Sequence, residues 1–222
     1  YTTAFKLYSV ILGFFTAFTN VMLPRMSSLL ANGEKDRFQE LVNRSFSVMA
    51  TCCIPLILCS MIMAPQIVYI LSGPGYEGAI LPMRIIMPAA FAVGVAQVLA
   101  IQVLMPMKKD KVLLIASIIG AVVSLLINLL VPSVKSVGSA VVLLCSEMGV
   151  TGMYVWYVLS QELILIPIKA IGKNVLFSLP SVVICLGCGR WIDNELLGVG
   201  CAVVLAGILW MLLQIIIRSL VG

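Results

Sequence analysis

Seven stretches of the chain stay apolar long enough to cross a bilayer, at about 4–30, 45–72, 79–106, 112–131, 136–160, 173–190 and 196–219. Polar residues fill the breaks between them. Each stretch is near or above the roughly 20 residues a helix needs to span a hydrocarbon core. The runs are continuous rather than alternating, which excludes the strands of an outer-membrane barrel, and inside lipid only helices and closed barrels satisfy their backbones. The pattern predicts an all-α fold, a polytopic membrane helix bundle of seven transmembrane helices. Two connections carry structure of their own. Residues 31–44 read as a turn at Asn32 and Gly33 followed by a short amphipathic helix. Residues 162–172 mix apolar groups with Pro167 and Lys169 and read as a segment along the membrane interface.

Composition narrows the class further. Hydrophobic residues make up 62% of the chain and charged ones 10%, against about a quarter charged in a soluble domain. The charges are also ordered. Arg25, Lys35, Arg37 and Arg44 flank the first connection, Lys108, Lys109 and Lys111 the third, Lys169 and Lys173 the fifth, and Arg218 the end of the last span. Residues 72–78 carry no Lys or Arg, and the other two connections hold Lys135 and Arg190 alone. Positive residues accumulate on the cytoplasmic side of a membrane. The expected topology thus starts outside and ends inside. A net charge of +5 then needs no nucleic acid, because anionic headgroups face those helix ends. An odd number of spans and a first residue other than Met lead us to expect that Tyr1 is not the natural start and that this is the C-terminal part of a longer transporter.

The residues that enzymes rely on are scarce. The chain has no His, the usual general base, and the close acidic pair Asp193 and Glu195 falls in a short turn between spans. No phosphate-binding G-x-x-x-x-G-K-[ST] motif occurs. All seven Cys residues lie within apolar spans, so we expect packing residues rather than a zinc site or loop disulfides, although Cys185 and Cys188 form a C-x-x-C.

Polarity inside the spans is the informative remainder, since an ionised group at mid-membrane costs at least about 2.5–3.5 kcal/mol. Lys6 and Arg84 lie near the outer ends of the first and third spans, and either snorkel and pair there or face a water-filled pathway. Glu147 lies near the middle of the fifth span, beyond the reach of snorkelling. Thr151, Tyr154 and Gln161 follow on the same helical face, a stripe that must meet protein or water, as a pathway or as interhelical hydrogen bonds. In the fourth span Ser117, Gly120, Ser124 and Asn128 share a face overlapping the small-residue repeat Ala116, Gly120, Ser124, which predicts close helix packing. Asn128 reads as a cap or a lining group. Pro55, Pro65, Pro82, Pro88 and Pro180 predict kinks that either shape static packing or let a cavity open and close.

The order of landmarks resembles a known family. Tyr1, Ala4, Lys6 and Leu7 form a Y-x-x-A-x-K-L opening, Pro24 and Ser27 an L-P-x-x-S, followed by Asn32 and Gly33. Asn128 and Pro132, Gly138, Ala140 and then Ser146-Glu147 continue the progression. It is similar to the polysaccharide exporter branch of the multidrug/oligosaccharidyl-lipid/polysaccharide (MOP) superfamily, most closely to O-antigen flippases of the Wzx type. The resemblance covers the whole chain as about half of a fourteen-helix transporter. It implies alternating access around a central cavity and an undecaprenyl-diphosphate-linked oligosaccharide as cargo, moved across the bacterial cytoplasmic (inner) membrane. It places Lys6, Arg84, Asn128, Glu147, Thr151 and Tyr154 along the substrate pathway, the two cations toward diphosphate or acidic sugars and Glu147 in gating or proton coupling. It implies H+ or Na+ as the coupling ion, no cofactor, and membrane lipids, polysaccharide polymerase and chain-length proteins as partners. A cation-coupled drug exporter or a lipid II flippase of the same superfamily is the alternative, and a membrane enzyme or non-transporting assembly subunit is a third. The chain departs from the family in how few charges its spans carry.

Overall fold

The computed structural model describes the backbone of residues 2–130, 135–191 and 195–221. Tyr1, Pro132 and Asp193 lie outside the described residues, as do the side chains of Lys135, Lys169, Glu195 and Arg218. The elements run α1 (Thr2–Ala31), α2 (Lys35–Ile62), α3 (Ala64–Ser72), a 3₁₀ turn (Glu77–Ala79), α4 (Ile80–Gln97), a π-helical segment (Val98–Leu104), α5 (Asp110–Leu130), α6 (Lys135–Ser160), α7 (Ile168–Trp191) and α8 (Glu195–Val221). Among the described residues six helices are long and apolar enough to cross a membrane, and a shorter apolar stretch, Leu196–Leu209, lies in α8. The backbone of α8 extends over 27 residues, about 40 Å at 1.5 Å per residue.

Local chemistry sets the boundaries. Gly33 at φ +74 closes α1, with Glu34 N–H donating to Leu29 O at 3.0 Å and Asn32 N–H to Ser28 O at 3.0 Å, the left-handed cap that leaves few terminal carbonyls unpaired. The helix that follows does not stop at residue 44. From Lys35 it continues through the second span as one element, because no residue between Arg44 and Arg37 breaks it and its apolar face, Phe38, Leu41, Val42, Phe46 and Met49, is buried throughout. The second span instead breaks at Met63, between α2 and α3, where Pro65 removes an amide donor. Pro24, Pro55, Pro88 and Pro180 sit inside continuous helices. Pro82, expected to kink its span, falls in the first turn of α4, where an N–H has no intrahelical acceptor, so it removes no bond. The 162–172 segment is likewise shorter than expected, since α7 begins at Ile168.

α4 is the axis of the bundle. It packs against α6, α1 and α2, while α5 covers α6, and α7 bridges α2 to α8. Met83, Ile86, Met87, Ala89 and Ala90 of α4 are fully buried. The small-residue face of α5 behaves as its spacing predicts: a Cβ built on Gly120 would lie 2.6 Å from Val150 Cγ2 of α6. That backbone approach is open only to Gly. A second, smaller cluster holds α7 and α8 to the α2–α3 corner through Met63, Cys185, Ala202 and Ala206. The outward faces of α1, α5, α7 and α8 carry exposed Phe, Leu, Ile and Val residues, including Phe14, Leu125, Val183 and Val204, as surfaces solvated by lipid do.

Candidate functional site

Lys6 and Arg84 occupy the same end of the bundle. Thr3 Oγ1 at the start of α1 lies 2.6 Å from Ser72 Oγ at the end of α3, and α4 begins a few residues beyond Ser72. Lys6 is exposed and has no hydrogen bond or ion pair among the described residues. Arg84 is exposed but tethered. Pro65 cannot donate to the carbonyl four residues before it, Met61 O, and Arg84 Nε supplies that donor from α4 at 3.1 Å. The guanidinium thus caps the α2–α3 break, and its remaining N–H groups have no partner among the described residues.

The α6 stripe divides by environment. Thr151 Oγ1 donates to Ala92 O of α4 at 2.9 Å, so its hydroxyl ties two helices together. Tyr154 is 6% exposed and packs in the main core. Glu147, one turn before Thr151, is half-buried and has no ion pair or hydrogen bond among the described residues. Gln161 lies past the end of α6 in an exposed turn, and so does not belong to the intramembrane stripe. Asn128 is exposed near the end of α5. Alternating crossings make α4 and α6 parallel, and Ala92 is eight residues below Arg84 in α4, about 12 Å at 1.5 Å per residue. Glu147 therefore lies about 6 Å deeper than Arg84. No ion pair joins Glu147 to Lys6 or Arg84 among the described residues.

Three uncharged polar sites escaped a reading that searched for charge. Gln97 Nε2 donates to Thr16 Oγ1 at 2.8 Å, linking α4 to α1 inside the span. Gln102 is 0% exposed, and both its amide atoms lack a partner. It sits in the π-helical segment, where Met105 N–H reaches Ala100 O, and such segments recur at functional places in helices. The third is a clamp. Gln39 Oε1 accepts from Leu165 N–H at 2.9 Å while its Nε2 donates to Leu165 O at 2.9 Å and to Asn43 Oδ1 at 2.8 Å, pinning the 163–167 connection onto α2. The signal for all three was present as Gln within or beside apolar runs. Among the described residues no group of three or more His, Cys, Asp or Glu could hold a metal. Cys59 Sγ of α2 lies 2.7 Å from Cys185 Sγ of α7, and all seven Cys are free.

The family described as "Lipid II flippase MurJ" matches residues 1–199 of the 222. The chain is 30% identical over 157 residues, 68% of its length and 37% of the relative's, to a protein of Escherichia coli (strain K12) named "Putative O-antigen transporter". It is also similar to a solved structure titled "Lipid II flippase MurJ, inward closed conformation", with a TM-score of 0.82 at 16% identity, over 99% of this chain and 47% of that one. The chain thus spans less than half the length of either protein.

Proposed function

Because this chain belongs to the MurJ lipid II flippase family, within the MOP superfamily, we propose that it forms about half of a flippase that carries a polyprenyl-diphosphate-linked saccharide across a bacterial inner membrane by alternating access. It is a multi-pass membrane protein. The observation that carries the reading is the family match over nine-tenths of the chain on a helical bundle of the same fold. We assign the basic end, with Arg25, Arg44 and Lys108, to the cytoplasm and the Lys6–Arg84 end to the outer face. Arg84 suits an anionic group at that mouth, since its tether to Met61 O fixes the guanidinium while leaving donors free. Lys6 supplies a second unpaired cation at the same end. Glu147, uncompensated and half-buried, is the coupling or gating carboxylate, with H+ or Na+ as the driving ion.

Two cargoes divide the support. Identity to the O-antigen relative favours an O-antigen-type repeat unit, and the family description favours lipid II. Expression of the whole protein in two bacterial strains, one lacking its O-antigen flippase and one depleted of its lipid II flippase, separates them. Return of surface polysaccharide in the first strain, abolished in Lys6→Ala and Arg84→Gln variants that still reach the membrane, supports the first reading; rescue of growth in the second supports the other. Rescue of neither, from a protein that inserts normally, sinks the flippase assignment.

A further inference from the structure

Two cavities meet between the end of α1 and the start of α2, at the basic end of the bundle. One, of about 270 Å³, is lined by Arg25, Leu29, Arg37, Glu40, Leu41 and Arg44. The other, of about 240 Å³, shares Arg25, Leu41 and Arg44 and continues along the helices past Phe18, Met22, Ser45 and Val48. The pair makes a groove that is charged at its mouth and apolar where it enters the span. Its charges are largely unspent. Arg37 is paired with Glu34 at 2.6 Å, but Arg25 and Arg44 have no ion pair or hydrogen bond among the described residues, and Glu40 is the one carboxylate that lines the groove. A second observation points to a ligand. Ser45 is 1% exposed and its hydroxyl has no partner, although it borders the groove one residue from Arg44. A helical Ser normally satisfies its hydroxyl on the carbonyl four residues back, as Ser9, Ser27 and Ser117 do here.

We propose that this groove is a binding site for an anionic phospholipid of the leaflet at the basic end, with the lipid phosphate held between Arg25 and Arg44, Ser45 donating to it or to the ester oxygens behind it, and an acyl chain lying against Phe18, Met22 and Val48. Both halves of the groove fit that occupant. Guanidinium groups match phosphate oxygens with paired N–H donors, and the apolar floor matches a hydrocarbon chain that a soluble anion lacks. The site lies at the opposite end of α1 from Lys6, separate from the proposed cargo mouth, and does not depend on which saccharide the protein carries.

The experiment uses the whole protein in nanodiscs of phosphatidylcholine doped with phosphatidylglycerol, with bound lipid counted by native mass spectrometry after gentle release. The wild type retains a phosphatidylglycerol through delipidation. Arg25→Gln combined with Arg44→Gln weakens that retention about thirty-fold, as expected for two basic contacts at a membrane surface. Ser45→Ala lowers it severalfold with net charge unchanged, and an unaltered elution profile shows that the fold persists. Lys108→Gln combined with Lys109→Gln, at the same end but outside the groove, leaves it as in the wild type. Equal loss in the Lys108/Lys109 variant would reduce the effect to diffuse surface charge, retention by the Arg25/Arg44 variant would remove the site, and displacement of the lipid by millimolar inorganic phosphate would leave a phosphate pocket with no role for the chain.

Discussion

Gly120 gives the sharpest test of the packing. A methyl added there would sit 2.6 Å from Val150 Cγ2, roughly 1 Å inside the distance at which carbon atoms attract. Val150 cannot swing away easily, because a β-branched side chain in a helix has one strongly preferred χ1. Gly120→Ala must therefore push α5 off α6, with an overpacking cost of about 1–3 kcal/mol. Replacing a helical Gly also brings a propensity gain of about 1 kcal/mol, so the comparison has to cancel it. Gly152 supplies the reference. It lies in α6, and a Cβ there meets nothing within 4 Å, so Gly152→Ala keeps the gain without the clash. Gly149→Ala, with its nearest contact at 3.5 Å, should track Gly152→Ala. Equilibrium unfolding of the whole protein in mixed micelles, followed by circular dichroism, should place Gly120→Ala below Gly152→Ala by about 1–3 kcal/mol. Equal stability of the two variants would refute the close α5–α6 approach.

Other substitutions probe the polar ties. Gln102→Met removes two unpartnered buried amide atoms and should stabilise the protein by about 1–3 kcal/mol, read by the same unfolding assay; a loss would show that Gln102 has a partner in the working protein. Thr151→Val should cost about 0.6 kcal/mol, the average for such bonds in membranes, and Thr151→Ser should recover it; a Val variant as stable as wild type would remove the Ala92 bond from the energetics. Gln39→Ala unpins both backbone groups of Leu165, so amide exchange at residues 163–166 should accelerate at least tenfold for a bond worth about 1.4 kcal/mol, and unchanged protection would show that the clamp is idle. Glu147→Gln should leave insertion intact and slow transport, measured as surface saccharide appearing per unit time, whereas a wild-type rate would return Glu147 to packing.

The spans were legible because hydrophobic length is a local property: α1, α5 and α6 begin and end within a few residues of the expected bounds. Pairing was less legible. Thr151 could be placed on a face but not joined to Ala92, because that bond depends on which helix lies opposite. The same holds for Arg84, whose tether to Met61 O combines a Pro in one span with a cation in the next. Nothing local distinguishes Pro82, harmless in a first turn, from Pro65, which breaks its span; the difference lies in what comes before, a short 3₁₀ turn ahead of Pro82 and a running helix ahead of Pro65. The continuity of α2 through residue 44 was hidden for a related reason, since polar residues on an exposed face look like a separate surface helix until the apolar face beneath them is seen to run on. Family likeness reached further than residue chemistry on fold, and less far on cargo.

The small seam between the α7–α8 pair and the α2–α3 corner sets how that hairpin responds to its surroundings. It is closed by Met63, Cys185, Ala202 and Ala206, with Thr51 donating to Asn174 at 3.3 Å as a polar link between α2 and α7. A joint of thioether, thiol and methyl groups gains little over the lipid tails that would replace it, because lipid is as apolar as the seam itself. Its closure is therefore governed by the thickness and lateral packing of the bilayer more than by directional bonds. The α8 side of the hairpin is the part whose docking the membrane can tune, while α7 stays packed along α2, and α5 and α6 keep a close fit that lipid cannot imitate.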